Sequence, residues 1–159
     1  RRHTRLLTVT GVQTCALPIF EFARVRFPNG VEFPQAPVVL WDWVADLAVL
    51  QVGAVPGVRP LPIADWRSLT RGEDIYLVGY PGEITAHPSP TIARGLVSNL
   101  REGGPARFTY IETDARASGG ASGGPMVNAN GEVVGITELL FGDSGFALAL
   151  PAQIGRAHV

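Results

Sequence analysis

The stretch DARASGGASGGPMVN, residues 114–128, places Ser122 between two pairs of glycines and ahead of Pro125. Glycine lets main-chain N–H groups converge on one point, because it has no Cβ atom. A serine hydroxyl attacks a carbonyl group well only when a base takes its proton and hydrogen-bond donors hold the developing oxyanion. The N–H groups of Gly120 and Ser122 have the spacing of such donors. The stretch predicts a nucleophilic serine with an oxyanion hole formed by Gly120 and Ser122; the alternative is a flexible loop with an unreactive serine.

Two other glycine motifs fit this stretch less well. The G-x-S-x-G elbow of α/β-hydrolases requires a helix directly after the serine and a histidine further downstream. Here Pro125 and the hairpin-like segment MVNANGEVVGI follow, and the only later histidine is His158. A phosphate-binding loop requires a Lys-Ser or Lys-Thr pair after its glycines, and the sequence has none there.

Both ends of the chain have an unusual coding relationship. Residues 14–19, TCALPI, and residues 154–159, IGRAHV, can be encoded by complementary strands of one oligonucleotide, one nucleotide out of frame. Residues 1–19 as a whole resemble a translated sequencing adapter, and such segments are excluded from fold reasoning. We therefore expect residues 1–19 and 154–159 to be adapter-like artefact. The alternative for residues 1–19 is a basic targeting peptide, but its apolar stretch is short and interrupted.

The composition of the remaining chain excludes several classes of function. Without the two ends, 9 basic and 14 acidic residues leave a net charge of −5, which does not favour nucleic-acid binding. The only cysteine, Cys15, lies in the adapter-like part, so we expect no disulfide and no cysteine-based metal site. No apolar run reaches the length of a membrane span.

Short apolar runs separated by turns predict an all-β sandwich or barrel. The sequences Asn29-Gly30 and Asn130-Gly131 are hairpin signals, and helical periodicity is confined to one turn at residues 65–69. Residues 53–62, GAVPGVRPLP, predict a connector that divides the chain into residues 20–60 and 61–153. The expected strands are residues 21–27, 31–33, 38–43, 47–52, 74–80, 91–100, 108–112, 126–127, 132–139 and 145–150.

Four segments in order resemble trypsin-like serine proteases, specifically the bacterial HtrA (Deg) group. Residues 110–136 contain TDA, then G-x-S-G-G-P and a strand ending in Gly-Ile, as in the nucleophile region of that family. Residues 45–52 (ADLAVLQV), 77–82 (LVGYPG) and 91–100 (TIARGLVSNL) resemble three earlier family segments. The resemblance implies a double six-stranded antiparallel β-barrel. Residues 20–60 would be the remnant of an incomplete first barrel, and residues 61–153 the second.

The resemblance also implies the roles of individual residues. Ser122 would be the nucleophile, Asp46 would orient the catalytic histidine, and Gly120 and Ser122 would form the oxyanion hole. Asp42 is a nearby competitor of Asp46, but its position between two tryptophans favours a structural role. Arg116, six residues before Ser122, either lies at the floor of the specificity pocket or faces solvent. No cofactor and no metal are implied.

The catalytic histidine is missing from the expected place. Family order is His, Asp, Ser, and family spacing puts the histidine roughly 30 to 40 residues before Asp46, inside the adapter-like segment. His3 and His158 belong to the adapter-like ends, and His87 follows Asp46. We therefore expect the parent protein to be a serine endopeptidase that cleaves polypeptides through an acyl-enzyme, and the chain as written to be inactive. The alternatives are a catalytically inactive trypsin-like scaffold and, less favoured, an esterase. The family also implies an extracytoplasmic location; oligomeric state is left open.

Overall fold

The computed structural model describes residues 5–9, 21–80, 89–102, 108–117, 119–138 and 146–153, and for residues 5–9 it describes the main chain alone. This part of the chain folds into strands and one 3₁₀ turn, Trp66–Ser68, where helical periodicity was predicted. The prediction of an all-β fold is confirmed. The strands are β1 Arg5–Val9, β2 Phe22–Arg26, β3 Glu32–Asp42, β4 Leu47–Val52, β5 Asp74–Gly79, β6 Thr91–Arg101, β7 Tyr110–Thr113, β8 Pro125–Asn128, β9 Val133–Glu138 and β10 Ala147–Pro151.

The chain divides into two compact units, Arg1–Pro60 and Leu61–Val159. The first unit contains a four-stranded sheet in the order β1-β4-β3-β2, with antiparallel pairs throughout. A small core of Val25, Ala36, Leu50 and Val52 packs on this sheet. The sheet is open, as expected for an incomplete first barrel. Strand β1 lies within the segment assigned to an adapter, and the origin of that segment stays a prediction, as do the domain bounds.

Strand β3 is longer than the sequence indicates. Two separate strands were predicted from the apolar runs at residues 31–33 and 38–43, and Pro34 and Pro37 lie between these runs. In the structure one strand runs from Glu32 to Asp42. Its first half pairs with β2 and its second half with β4, so each half has one partner. A proline without an N–H group is tolerated on the side of a strand that has no partner.

The second unit contains a closed antiparallel barrel in the order β10-β7-β6-β5-β8-β9. Strand β5 shows how its sequence fits this barrel: Ile75, Leu77 and Gly79 are buried, and the residues between them are half-buried. This alternation is that of a strand with one face in a core. The barrel core also includes Val97, Ile111, Met126, Val134 and Ala149. Closure leaves the loop between β7 and β8, which carries Ser122, at the end of a fixed scaffold.

Membrane-spanning helices and clusters of metal-binding side chains are both absent from the described residues. Within the described ranges, no helix is long and apolar enough to cross a membrane. The same ranges contain no group of three or more His, Cys, Asp or Glu side chains placed to hold a metal ion.

Candidate active site

The loop that carries Ser122 begins with three contacts to β6 and β7. The main-chain N–H of Leu96 donates to Oδ1 of Asp114 at 2.7 Å, and the N–H of Ala115 donates to Oγ1 of Thr113 at 3.0 Å. Gly95 leaves room for Ala115, since a Cβ atom on Gly95 would lie 2.4 Å from the Ala115 nitrogen. These contacts fix the direction in which the chain leaves β7.

The far end of the loop is attached to β5 and β9 through the main chain. The N–H of Tyr80 donates to the carbonyl oxygen of Gly120 at 3.0 Å. The N–H of Gly123 donates to the Thr137 carbonyl at 2.8 Å, and the N–H of Thr137 donates to the Gly124 carbonyl at 2.9 Å. Ser122 is therefore held between two strands of the barrel by bonds that do not involve its own side chain.

Glycines at this end permit a path that other residues would obstruct. Gly120 and Gly123 have φ angles of +96° and +83°, in the left-handed region that favours glycine. Gly79 lies against Ala121, and a Cβ atom there would be 2.7 Å from the Ala121 Cα. The glycine-rich sequence is thus required by the tight turn and by close approach to β5.

The predicted oxyanion donors are free to bind. No hydrogen bond from the N–H of Gly120 or of Ser122 occurs among the described residues, whereas the N–H groups of Gly123 and Gly124 are both used. Gly120 is exposed and Ser122 is half-buried, and two N–H groups two residues apart in such a glycine-rich turn form a candidate anion site.

Two hydroxyl groups beside this turn are buried without a partner. Ser122 Oγ and Thr137 Oγ1 have no hydrogen bond within the described part of the chain. A buried hydroxyl without a partner costs about 1–3 kcal/mol, and such atoms in native proteins call for an explanation. Thr137 was not predicted from the sequence as a residue of the candidate site. The Gly-Ile-Thr end of β9 gave no signal that its hydroxyl would be buried beside the Ser122 loop.

Asp46, the predicted orienting acid, lies at the end of the turn between β3 and β4. Its side chain is exposed, and its φ angle of +48° makes it the one non-glycine residue with a positive φ among the described residues. Strained main-chain angles of this kind often occur at functional sites. Asp42 has a different role, because its Oδ1 accepts hydrogen bonds from the N–H groups of Val44 and Ala45 at 2.9 and 3.1 Å. This supports the structural interpretation of Asp42.

Other predicted positions are only partly described. Asp46 belongs to the first unit and Ser122 to the second, and their juxtaposition stays a prediction. Arg116 is exposed, and its role in specificity also stays a prediction. His87 and the histidines of the two ends, His3 and His158, lie outside the described residues.

Comparison with known proteins agrees with the class that this barrel and loop define. The family model described as "Trypsin-like peptidase domain" matches residues 7–136. The chain belongs to the family of trypsin-like peptidases, and the predicted resemblance is confirmed.

The relatives within this family are HtrA-type proteases. The mitochondrial serine protease HTRA2 of Bos taurus is 34% identical over 82% of this chain, which spans 28% of that protein. A probable periplasmic serine protease do/HhoA-like of Haemophilus influenzae is 33% identical over 81% of this chain, again spanning 28%. A solved structure of the HtrA-type protease AlgW with a decapeptide superposes with a TM-score of 0.72 and 25% identity. This match covers 84% of our chain and 41% of that one.

Proposed function

We propose that the chain supplies the nucleophile and oxyanion hole of a serine endopeptidase that cleaves polypeptides through an acyl-enzyme. The proposal depends most on the N–H groups of Gly120 and Ser122, which have no hydrogen-bond acceptor among the described residues and lie in a turn held by main-chain bonds to Tyr80 and to β9. Donors fixed in advance stabilise an oxyanion without reorganising during the reaction, and removing one typically costs about a hundred- to a thousandfold in rate.

The reaction proceeds in two balanced steps. Ser122 Oγ attacks the scissile carbonyl carbon, and a general base takes the hydroxyl proton; the oxyanion accepts hydrogen bonds from Gly120 and Ser122. Collapse breaks the C–N bond, and the protonated base gives its proton to the leaving amine. Water then attacks the acyl-enzyme by the same route and releases the acid. Because Ser122 Oγ is buried in the structure, its hydroxyl must turn outward before it can attack.

The base belongs to the proposal as a histidine that Asp46 orients. His87 and His158 follow Asp46 in the sequence and His3 lies in the adapter-like segment, so none of the three is assigned this role. The unpaired state of Ser122 Oγ supports this, since an imidazole bonded to it would satisfy a buried hydroxyl. We expect the 159-residue chain to be inactive for that reason. Removal of one triad residue typically lowers kcat by about 10⁴-fold or more.

Polypeptide is the proposed substrate, and an extracytoplasmic location is proposed from the family. The relatives include a probable periplasmic and a mitochondrial serine protease. The net charge of −5 outside the two ends gives no support to a nucleic-acid partner.

A fluorophosphonate probe tests the proposal, because it labels a serine only when the nucleophile is activated. We expect the full-length gene product to be labelled at Ser122, the Ser122→Ala variant to be unlabelled, and the 159-residue chain to react at least about 10⁴-fold more slowly. Ser68 is a matched serine, since its hydroxyl is already bonded to the Asp65 carbonyl at 2.7 Å, and it should stay unlabelled.

The second candidate function is a non-catalytic trypsin-like binding domain. The burial of Ser122 Oγ favours it, because a buried hydroxyl is not presented to substrate. A full-length protein that folds cooperatively and is never labelled at Ser122 would establish the scaffold and exclude the peptidase.

A further inference from the structure

Tyr80, which has an exposed side chain, is bonded through its main chain to a residue of the candidate oxyanion hole. Among the described residues outside the turn itself, Tyr80 and Thr137 hydrogen-bond to Gly120–Gly124. Thr137 is 1% exposed, whereas Tyr80 is 47% exposed.

The main-chain bond fixes how far Tyr80 lies from the reacting atoms. Its nitrogen is 3.0 Å from the Gly120 carbonyl oxygen, and the N–H of the same Gly120 would hold the scissile oxygen. Standard bond lengths then place the Tyr80 Cα at most about 11 Å from that oxygen. An extended peptide advances about 3.3 Å per residue, so this distance corresponds to about three substrate positions, and a side chain at Tyr80 is within reach of residues that flank the scissile bond.

We propose that Tyr80 is a specificity-determining residue that packs against an aromatic or large apolar side chain of the polypeptide, next to the bond that is cleaved. This inference rests on the proposed peptidase function and adds the chemistry of a substrate subsite. An aromatic ring offers a large contact area with few rotatable bonds, so little conformational entropy is lost when a second ring packs on it. The bond to Gly120 involves only the main chain, and substitution of the Tyr80 side chain leaves it in place.

The test uses the full-length gene product and short internally quenched peptides. The peptides form pairs that carry either Phe or Gly at one position, and this position is varied on each side of the scissile bond in turn. In the unsubstituted protein we expect a Phe-over-Gly preference in kcat/KM of roughly two- to tenfold at one position, the range for an aromatic pair. Tyr80→Ala and Tyr80→Gln should both reduce that ratio to about one, whereas Tyr80→Phe should retain it. The Phe-over-Gly ratio compares two substrates of the same variant, so a substitution that changes kcat/KM equally for both peptides leaves the ratio unchanged.

Ile63 supplies the matched control. It is 41% exposed and bridges to Val133, the first residue of β9, whereas Thr137 near the end of β9 bonds to the Ser122 turn. Ile63→Ala should leave the ratio unchanged. An unchanged ratio in Tyr80→Ala and Tyr80→Gln, or no preference at any position, overturns the subsite while fluorophosphonate labelling of Ser122 still stands. Failure of labelling in the unsubstituted protein overturns the peptidase function and the subsite together.

Discussion

Gly124 lies so close to β5 that a Cβ atom on it would be 1.9 Å from the carbonyl oxygen of Val78. We predict that Gly124→Ala lowers the free energy of unfolding by about 3 kcal/mol, at the upper end of the overpacking range, because main-chain atoms cannot move aside as a side chain can. Urea denaturation followed by tryptophan fluorescence measures this change.

Gly119→Ala is the control for that substitution. Gly119 lies in the same loop, its Cβ position has nothing within 4 Å, and its φ angle is not in the left-handed region. We expect a change within about 0.5 kcal/mol, as for exposed sites without special geometry. Equal losses for Gly119→Ala and Gly124→Ala would show that the approach to Val78 does not limit the loop.

Removal of the buried hydroxyls of Ser122 and Thr137 is predicted to increase stability, unlike the Gly124→Ala substitution. Ser122→Ala and Thr137→Val each remove a buried hydroxyl that has no partner among the described residues. Each should raise the free energy of unfolding by about 1 kcal/mol, since the cost of the unpaired group is relieved. Thermal denaturation monitored by circular dichroism detects a gain of this size, and a loss of stability in both variants would mean that the hydroxyls have partners.

The bond between Leu96 and Asp114 predicts a difference between two substitutions. Asp114→Ala removes the acceptor of the Leu96 N–H and should cost about 1 kcal/mol, whereas Asp114→Asn keeps a carbonyl oxygen in that place and should cost less. Hydrogen exchange of the Leu96 amide gives the direct measurement. Rapid exchange is expected in Asp114→Ala alone, and slow exchange in that variant would contradict the role given to Asp114.

Asp42 and Asp46 should respond differently although they share one turn. Asp42→Ala removes the acceptor of the Val44 and Ala45 N–H groups and should lower stability by about 1 kcal/mol. Asp46→Gly should stay within about 0.5 kcal/mol, because relief at φ +48° offsets the greater freedom of glycine in the unfolded chain. In the full-length gene product, Asp46→Gly should nevertheless abolish peptidase activity. A stable and fully active Asp46→Gly variant would remove Asp46 from the site.

Tyr110 makes stability depend on alkaline pH. Burial, followed by the negative charge of Glu138, raises the pKa of Tyr110 above its usual value of 10.0. The folded state therefore keeps the phenol proton at a pH where the unfolded state has lost it. The contribution of Tyr110 to the free energy of unfolding is therefore fully present below about pH 10 and is lost as the pH rises toward the raised pKa of Tyr110.

Tyr110→Phe isolates this effect. Its free energy of unfolding should fall less steeply above about pH 10 than that of the unsubstituted protein, because the variant has no phenol proton at this position to lose. Urea unfolding at a series of pH values from neutral to about 11 measures both slopes. Identical slopes would show that another group causes the alkaline loss.

The parts of the fold that were predictable depend on local sequence. The strand expected at residues 74–80 and the Asn130-Gly131 turn each depend on a few neighbouring residues, and the structure has β5 and the turn between β8 and β9 at these places. The continuity of β3 depends on pairing with two different strands, and no pattern near Pro34 and Pro37 shows that pairing.

Residues of the site that the sequence did not predict depend on distant neighbours. Gly95 within β6 has the appearance of a weak strand residue, and only the fold shows that Ala115 occupies the space of its missing side chain. Tyr80 and Thr137 likewise gave no local signal, because their importance comes from main-chain bonds to Gly120, Gly123 and Gly124 across the barrel.

From Gly120 to Gly124, every hydrogen bond found within the described residues joins main-chain atoms. The main-chain bonds that hold this turn therefore do not involve the exposed side chains of Arg116 and Tyr80. Exchange of these two side chains, in evolution or by protein engineering, alters the surface beside the turn while the position of the serine stays the same. Under the proposed function, the selectivity of this segment can therefore change in evolution without a change in the reactivity of its serine.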